Sequence, residues 1–360
     1  MKNTAALDNR TLLPVMTRTL VRLLTLLGLW NVYYQLLHWL PANLVRLDHG
    51  RDMMIYYDAA QKATAGLSMY HHASSSYGPH EFPTWYVYPP QLGALISTFA
   101  GHPRAFNDFW YPLMLASFWT FAFALSRVSV DDVRYRDIRL PARLGAILAW
   151  GGAISLTPYL YYTMSVGQVE PVLWAAIALT VIVRWPNVFL AVMASIKPYA
   201  VWPLVAYSAK NRKSILVTVA VIVTGALLAA LRVGAWQFAE WFGAVGPSAG
   251  QGSFIDFNWS LSMAVLRLLR AAGWWHYSSG PLHAGPRLFL GVMGVAGPSL
   301  VYVVTRRMEL RARMVLLYIA GMLFSPLCWA VYLTTLWIPL AMWVRARSEG
   351  ISRAASNLQA

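Results

Sequence analysis

The chain has 360 residues, 58% of them hydrophobic and only 12% charged, with a net charge of +15. Soluble domains carry about 25% charged residues, so this balance excludes an ordinary soluble fold and describes a multi-spanning membrane protein. A basic net charge can also mean nucleic-acid binding. Here the Lys and Arg residues sit in short clusters between apolar runs, the pattern of cytoplasmic loops, so no nucleic-acid partner is expected.

In chain order, residues 1–19 read as a basic cytoplasmic tail ahead of a signal anchor. Leu20–Leu40 is the first span, closed by Trp30, Tyr33, Tyr34 and Trp39, aromatics that favour the membrane–water interface. A first external loop follows, about 41–107. It holds a predicted interfacial helix over Met53–Gly66 and a shallow helix over Gln91–Gly101, which at about 1.5 Å per residue is too short to span. Phe109–Leu125 crosses to the Arg127, Arg134, Arg136, Arg139 and Arg143 cluster, the most basic loop.

Leu144–Met164 then runs outwards to a Gly167-Gln168-Val169-Glu170 turn, and Pro171–Val183 returns. Val188–Ala209 is interrupted at Lys197-Pro198 and reads as a short hairpin with Lys197 at its tip. Ile215–Leu231 leads to a second external loop, about 234–285, and Arg287–Val304 comes back. Met314–Phe324 and Val331–Val344 are the last spans, around a Ser325-Pro326-Leu327-Cys328-Trp329 turn. Residues 346–360 form a cytoplasmic tail. The expectation is an all-α membrane protein, one integral domain over 20–345, with roughly eight to ten transmembrane helices. Both termini then face the cytoplasm.

That topology gathers Asp48, Asp52, Asp58, Glu81, Glu170, Glu240 and Asp256 on the external side, where no nucleotide-sugar is available. A substrate there is lipid-linked or already exported. Asp52 precedes the interfacial helix and suits either an N-cap or a general base at the mouth of an apolar cavity; Asp48 and Asp58 are fallback bases. Lys197 reads as an interface lysine or as a phosphate clamp. In either case its ammonium needs a protein cavity or an anion beside it. The lone Cys328 reads as a small core residue, and no metal or cofactor is expected. His71-His72 lack a third ligand at fixed spacing, and Asn258-Trp259-Ser260 matches the glycosylation acceptor pattern.

Several short motifs occur in order: Asp52-Met-Met-Ile-Tyr56-Tyr57-x-Ala59-Ala60, Gly66-x-x-x-Tyr70, and Tyr86-x-Tyr88-Pro89-Pro90. Gly167-Gln168, Ile196-Lys197-Pro198, Asn258-x-Ser260-Leu261 with Arg267, and Ser325-Pro326-x-x-Trp329 follow. Together, over roughly Arg22 to Trp343, they resemble glycosyltransferase family 87, whose members are GT-C fold mannosyltransferases using polyprenyl-phosphate mannose. The resemblance implies inverting transfer of a hexose, by family mannose, from a polyprenyl phosphate to a lipid or glycan acceptor hydroxyl outside a bacterial-type plasma membrane. It puts Asp52 in the place of the general base and Lys197 where the family has a basic residue. Arg51, Tyr56, Tyr88, Gln168, Asn258 and Trp329 are the expected substrate-binding residues. The chain departs from the family twice: Trp259 stands where Gln is common, and Val331, followed by Tyr332, stands where many members have histidine. His276 or His283 are candidate substitutes.

A relative using another lipid-linked sugar is one alternative. A transporter or flippase of lipid-linked sugars is another, disfavoured because only one broken segment is visible and it has no counterpart elsewhere.

Overall fold

The computed structural model describes residues 9–45, 51–70, 86, 88–130, 132–158, 160–251, 260–274, 284–325, 328 and 330–357. Among these the chain is helical, with no strand. Helix α1 (Asn9–Tyr34) passes through a π-helical turn, Gln35–Trp39, into α2 (Leu40–Val45), and α3 (Arg51–Thr64) follows. Next come α4 (Pro90–Ile96), ending in the 3-10 turn Ser97–Phe99, then α5 (Pro103–Val128), α6 (Asp132–Asp137) and α7 (Leu140–Ser155). After α8 (Leu160–Ser165) and α9 (Glu170–Ile182), the expected hairpin is present as α10 (Pro186–Ile196) and α11 (Val201–Lys210). The chain continues through α12 (Ser214–Val233), α13 (Trp236–Gln251), α14 (Leu261–Ala271), α15 (Ala284–Val304), α16 (Leu310–Phe324) and α17 (Trp337–Asn357).

Four stretches are long and apolar enough to cross a membrane: Thr17–Val45, Pro103–Val128, Ser214–Val233 and Leu288–Arg307. The other expected crossings are built from shorter helices, except the last, which joins a 3-10 segment, Ala330–Leu336, to the first turns of α17. One expectation fails outright: Leu144–Met164 is not a continuous span. It breaks between α7 and α8 around Thr157-Pro158, where proline removes a backbone donor and clashes with the preceding turn. The Lys197 break therefore has a counterpart, and the argument against transport from a single broken segment does not stand. The segment expected as the second external loop contains α13 and α14. The latter starts at Ser260, whose hydroxyl accepts from the Met263 amide at 3.3 Å.

Helix α5 is the axis of the core. Phe106, Trp110, Tyr111, Met114, Phe118 and Phe121 are all buried, and α5 packs against α9 and α7. Its far end meets the end of α9, the start of α16 and the middle of α17, where Arg127, Glu309, Arg311, Arg345 and Glu349 line one cleft of 160 Å³. The basic clusters of separate loops thus converge at one end of the bundle. The starts of α3, α5 and α9 lie at the other.

The outer pair α1 and α7 is joined through small residues. A Cβ at Gly152 would meet Leu24 O at 2.1 Å, and one at Gly28 would meet Leu148 O at 2.0 Å. Backbone approach of this kind is a means of helix association in lipid, where no hydrophobic driving force acts between helices. Gly225 on α12, by contrast, has nothing within 4 Å of its would-be Cβ. Gly152→Val is expected to lower the unfolding midpoint in detergent, overpacking costing about 1–3 kcal/mol or more, whereas Gly225→Ala, in open space within a helix, should leave it unchanged or raise it. A midpoint for Gly152→Val equal to wild type in a thermal fluorescence scan contradicts the close crossing.

Candidate active site

The site begins with a turn. After α8, Val166 and Gly167 reverse the chain, Gly167 at φ 74°, a left-handed conformation that favours glycine. A Cβ there would also strike Met53 Cβ at 2.7 Å, so α3 can approach only a glycine. The Val166 carbonyl accepts from the amides of both Asp52 and Met53 at 3.0 Å, and the Gly167 carbonyl accepts from Trp110 Nε1 at 2.8 Å. The turn thereby fixes the start of α3 against α5 and launches α9 at Glu170.

Asp52 lies in the first turn of α3, partly buried. The N-cap reading is corrected here: Arg51 already belongs to the helix, and the Val166 carbonyl satisfies the terminal amides. A carboxylate in a first turn is still favoured by the helix dipole.

Lys197 sits at the break between α10 and α11, its backbone extended. Its Nζ is 3.0 Å from Glu170 Oε1 and donates to the Tyr332 hydroxyl at 3.0 Å. It also lies over the Tyr88 ring, 4.3 Å from the centroid. The Glu170 contact is off the line of a directed hydrogen bond, so the pairing is Coulombic rather than directional. The two sides are unequally covered: the Glu170 side chain is 2% exposed and that of Lys197 13%. The expectation that this ammonium needs an anion beside it holds, and the anion is a residue of the chain itself.

Aromatic side chains enclose the pair. Tyr56 donates to the Tyr88 hydroxyl at 2.9 Å, Tyr70 donates to the Tyr88 carbonyl at 3.0 Å, and Tyr56 meets Tyr88 and Trp110 edge-on. Burial pushes the Tyr56 phenol well up from its ordinary range, and the Asp52 and Glu170 charges push it further. Burial does the same to Tyr88, with Glu170 the stronger of the two carboxylates acting on it. Both hydroxyls therefore remain neutral donors and acceptors at ordinary pH.

Of the expected site residues, the structure brings Asp52, Tyr56, Tyr88, Gln168 and Lys197 to one end of the bundle. Gln168 Oε1 is buried with no hydrogen-bond partner among the described residues. Asp58 is separate: it is 56% exposed on α3 and pairs with Lys62 at 2.6 Å. Asp48, Asn258, Trp329, His71, His72, His276 and His283 lie outside the described residues, as does the side chain of Arg51. Cys328 is buried.

Glu170 and Tyr332 were not foreseen as site residues. A signal for Glu170 was present, because an acid opening a strongly apolar helix next to an intramembrane lysine is its natural partner. Tyr332 is one residue beyond Val331, where a histidine is common in the family; its hydroxyl is the group on this segment that reaches the lysine.

Breaking a buried pair strands one charge and costs about 3–5 kcal/mol, while removing both partners costs far less. Glu170→Gln and Lys197→Met are each expected to destabilise the protein more than the double variant does. Thermal unfolding of the four proteins in one detergent measures this, and strictly additive losses would mean that the two groups do not interact.

A family model for glycosyltransferase family 87 matches residues 86–329, well over half of the chain. No curated protein and no solved structure matches. The matched region takes in Tyr88, the Gly167-Gln168 turn, Glu170 and Lys197, with Asp52 docked against it through Val166. The chain belongs to glycosyltransferase family 87 and is a membrane glycosyltransferase.

Proposed function

We propose that the protein transfers a hexose, mannose being the first choice, from a polyprenyl-phosphate donor to an acceptor hydroxyl on the external face, with inversion and on a GT-C fold. The supporting observation is the convergence of Asp52, Glu170 and Lys197 on one turn, at the end of the bundle away from the Arg127, Arg311 and Arg345 cluster.

Asp52 is the general base. It takes the acceptor proton as that oxygen forms its bond to the anomeric carbon, while the bond from that carbon to the lipid phosphate breaks and the phosphate leaves with the electron pair. A phosphate leaving group needs no proton, so a single carboxylate suffices. Lys197 stands near the donor phosphate, with Arg51 as a second cation. Glu170 and Tyr332 hold the ammonium in position until the anion arrives. Tyr56 and Tyr88, kept neutral, contribute hydroxyls and ring faces to the sugar. The buried, unpartnered Gln168 Oε1 accepts from a bound hydroxyl, the partner that such an atom otherwise lacks. Asn258 and Trp329 complete the substrate-binding set. The alternative sugar is decided by the donor alone, and a transporter of lipid-linked sugars would form no new glycosidic bond.

The purified protein, incubated with a panel of polyprenyl-phosphate sugars and a mixed lipid and glycan acceptor pool, is expected to release polyprenyl phosphate and glycosylate an acceptor. Asp52→Asn should insert normally and lose about 10²–10⁴-fold in rate, the usual scale for a general base. Turnover retained by Asp52→Asn removes the base assignment, and transfer from none of the donors removes the reaction.

A further inference from the structure

A second polar cleft opens at the other end of α3. It has a volume of 670 Å³ and is lined by Gln61, Thr64, Ser97, Thr98, His102 and Arg232. It is distinct from the site above: Gln61 and Thr64 lie nine and twelve residues beyond Asp52 on α3, about 13–18 Å along the helix. None of Asp52, Glu170 and Lys197 lines it.

Arg232 sets its chemistry. It lies in the last turn of α12, an apolar helix long enough to cross a membrane, whose other end follows Lys210, Arg212 and Lys213. Such a residue sits where hydrocarbon gives way to headgroups. Its guanidinium is exposed yet fixed: Nε donates to Ser97 Oγ and Nη2 to the Ser97 carbonyl, both at 3.0 Å. Two of its five N–H donors are thereby used. The others have no partner among the described residues, and none of the described residues lining the cleft is a carboxylate. Gln61 and His102 add further polar groups. An arginine at a helix C-terminus also suits the helix dipole and often snorkels to the interface. That accounts for a basic residue at the end of α12, but not for a guanidinium pinned across to the turn after α4 beside a cleft whose described lining holds no acid. A planar, pre-oriented cation of this kind suits phosphate, which it can bind with paired hydrogen bonds. Beside it, Leu227, Leu228 and Leu231 on α12 are 58%, 61% and 84% exposed, a surface for acyl chains.

We propose that this cleft binds the phosphate of an anionic lipid headgroup, with the acyl chains running along the exposed leucines of α12. The site is independent of the transfer reaction.

The test uses the full-length protein in neutral detergent, titrated with dihexanoyl phosphatidic acid, dihexanoylglycerol or inorganic phosphate, with bound species counted by native mass spectrometry. Dihexanoyl phosphatidic acid is expected to bind, and more weakly as salt rises. Arg232→Gln should weaken it about tenfold or more. Thr98→Glu, at an exposed position that leaves the Ser97 anchor intact, should do the same by placing like charge in the cleft, with an unchanged unfolding midpoint. If Arg232→Gln misfolds, Thr98→Glu decides alone. Wild-type binding by Thr98→Glu overturns the proposal, as does equal binding of phosphate-free dihexanoylglycerol. Displacement by inorganic phosphate at the same concentration as the lipid would make this a free-anion site and overturn the lipid assignment.

Discussion

The contact between Lys197 and Glu170 sets the terms for this end of the molecule. Two opposite charges taken out of water rarely stabilise a protein over an apolar pair of the same size, because desolvation offsets most of their attraction. Its consequence is organisational, since neither charge can move away without stranding the other. The pair forms because three interruptions of regular helix meet at one place. Gly167 turns the chain so that α9 opens with Glu170, Pro198 ends α10 at Lys197, and the Tyr88-Pro89-Pro90 segment lays an aromatic face against the ammonium. Non-helical backbone at membrane depth is tolerated where protein or water covers it, so chain breaks and charged side chains share one interior.

The same turn governs Asp52. With its amide on the Val166 carbonyl, the carboxylate is carried by the first turn of a helix rather than by a loose loop, which removes most of the freedom an aspartate has in extended chain. The approach depends on glycine at 167, because any Cβ there would collide with Met53. Position and charge are thus set by separate features: the turn places Asp52, and the buried aromatics around Tyr56 and Tyr88 lower the polarity into which it faces.

The sequence was most informative where one physical quantity dominates. The apolar runs of α5, α12 and α15 are long enough that hydropathy alone locates them, and Lys197-Pro198 announces its own break. It was less informative where two effects oppose each other. Thr157-Pro158 interrupts a run whose average hydropathy stays high, so Leu144–Met164 reads as continuous although the backbone breaks there. Helices α13 and α14, of 16 and 11 residues, are too short to register as spans, and their pattern is masked in a loop rich in small and aromatic residues. Asp52 could be singled out by its place ahead of an interfacial helix and by its motif. Glu170 could not be paired with Lys197 without knowing that the turn and the hairpin tip meet, a contact between segments far apart in sequence.

The unequal covering of the pair carries the argument one step further. Glu170 is sealed, while part of the Lys197 side chain remains accessible. An anion arriving from outside therefore meets the cation first, with the carboxylate behind it. At the opposite end, arginines and glutamates mingle in one cleft, and acids already compensate the basic residues there. On the proposed reading, Lys197 is a cation whose desolvation is supported by a single carboxylate and a phenol, enough to hold it in place and not enough to neutralise it against a phosphate dianion. The donor arrives as a phosphodiester with one negative charge and gains a second as its bond to the sugar breaks, so the ammonium can be shared with the departing phosphate without expelling Glu170. The resident partner then serves to hold the lysine in position before the donor binds.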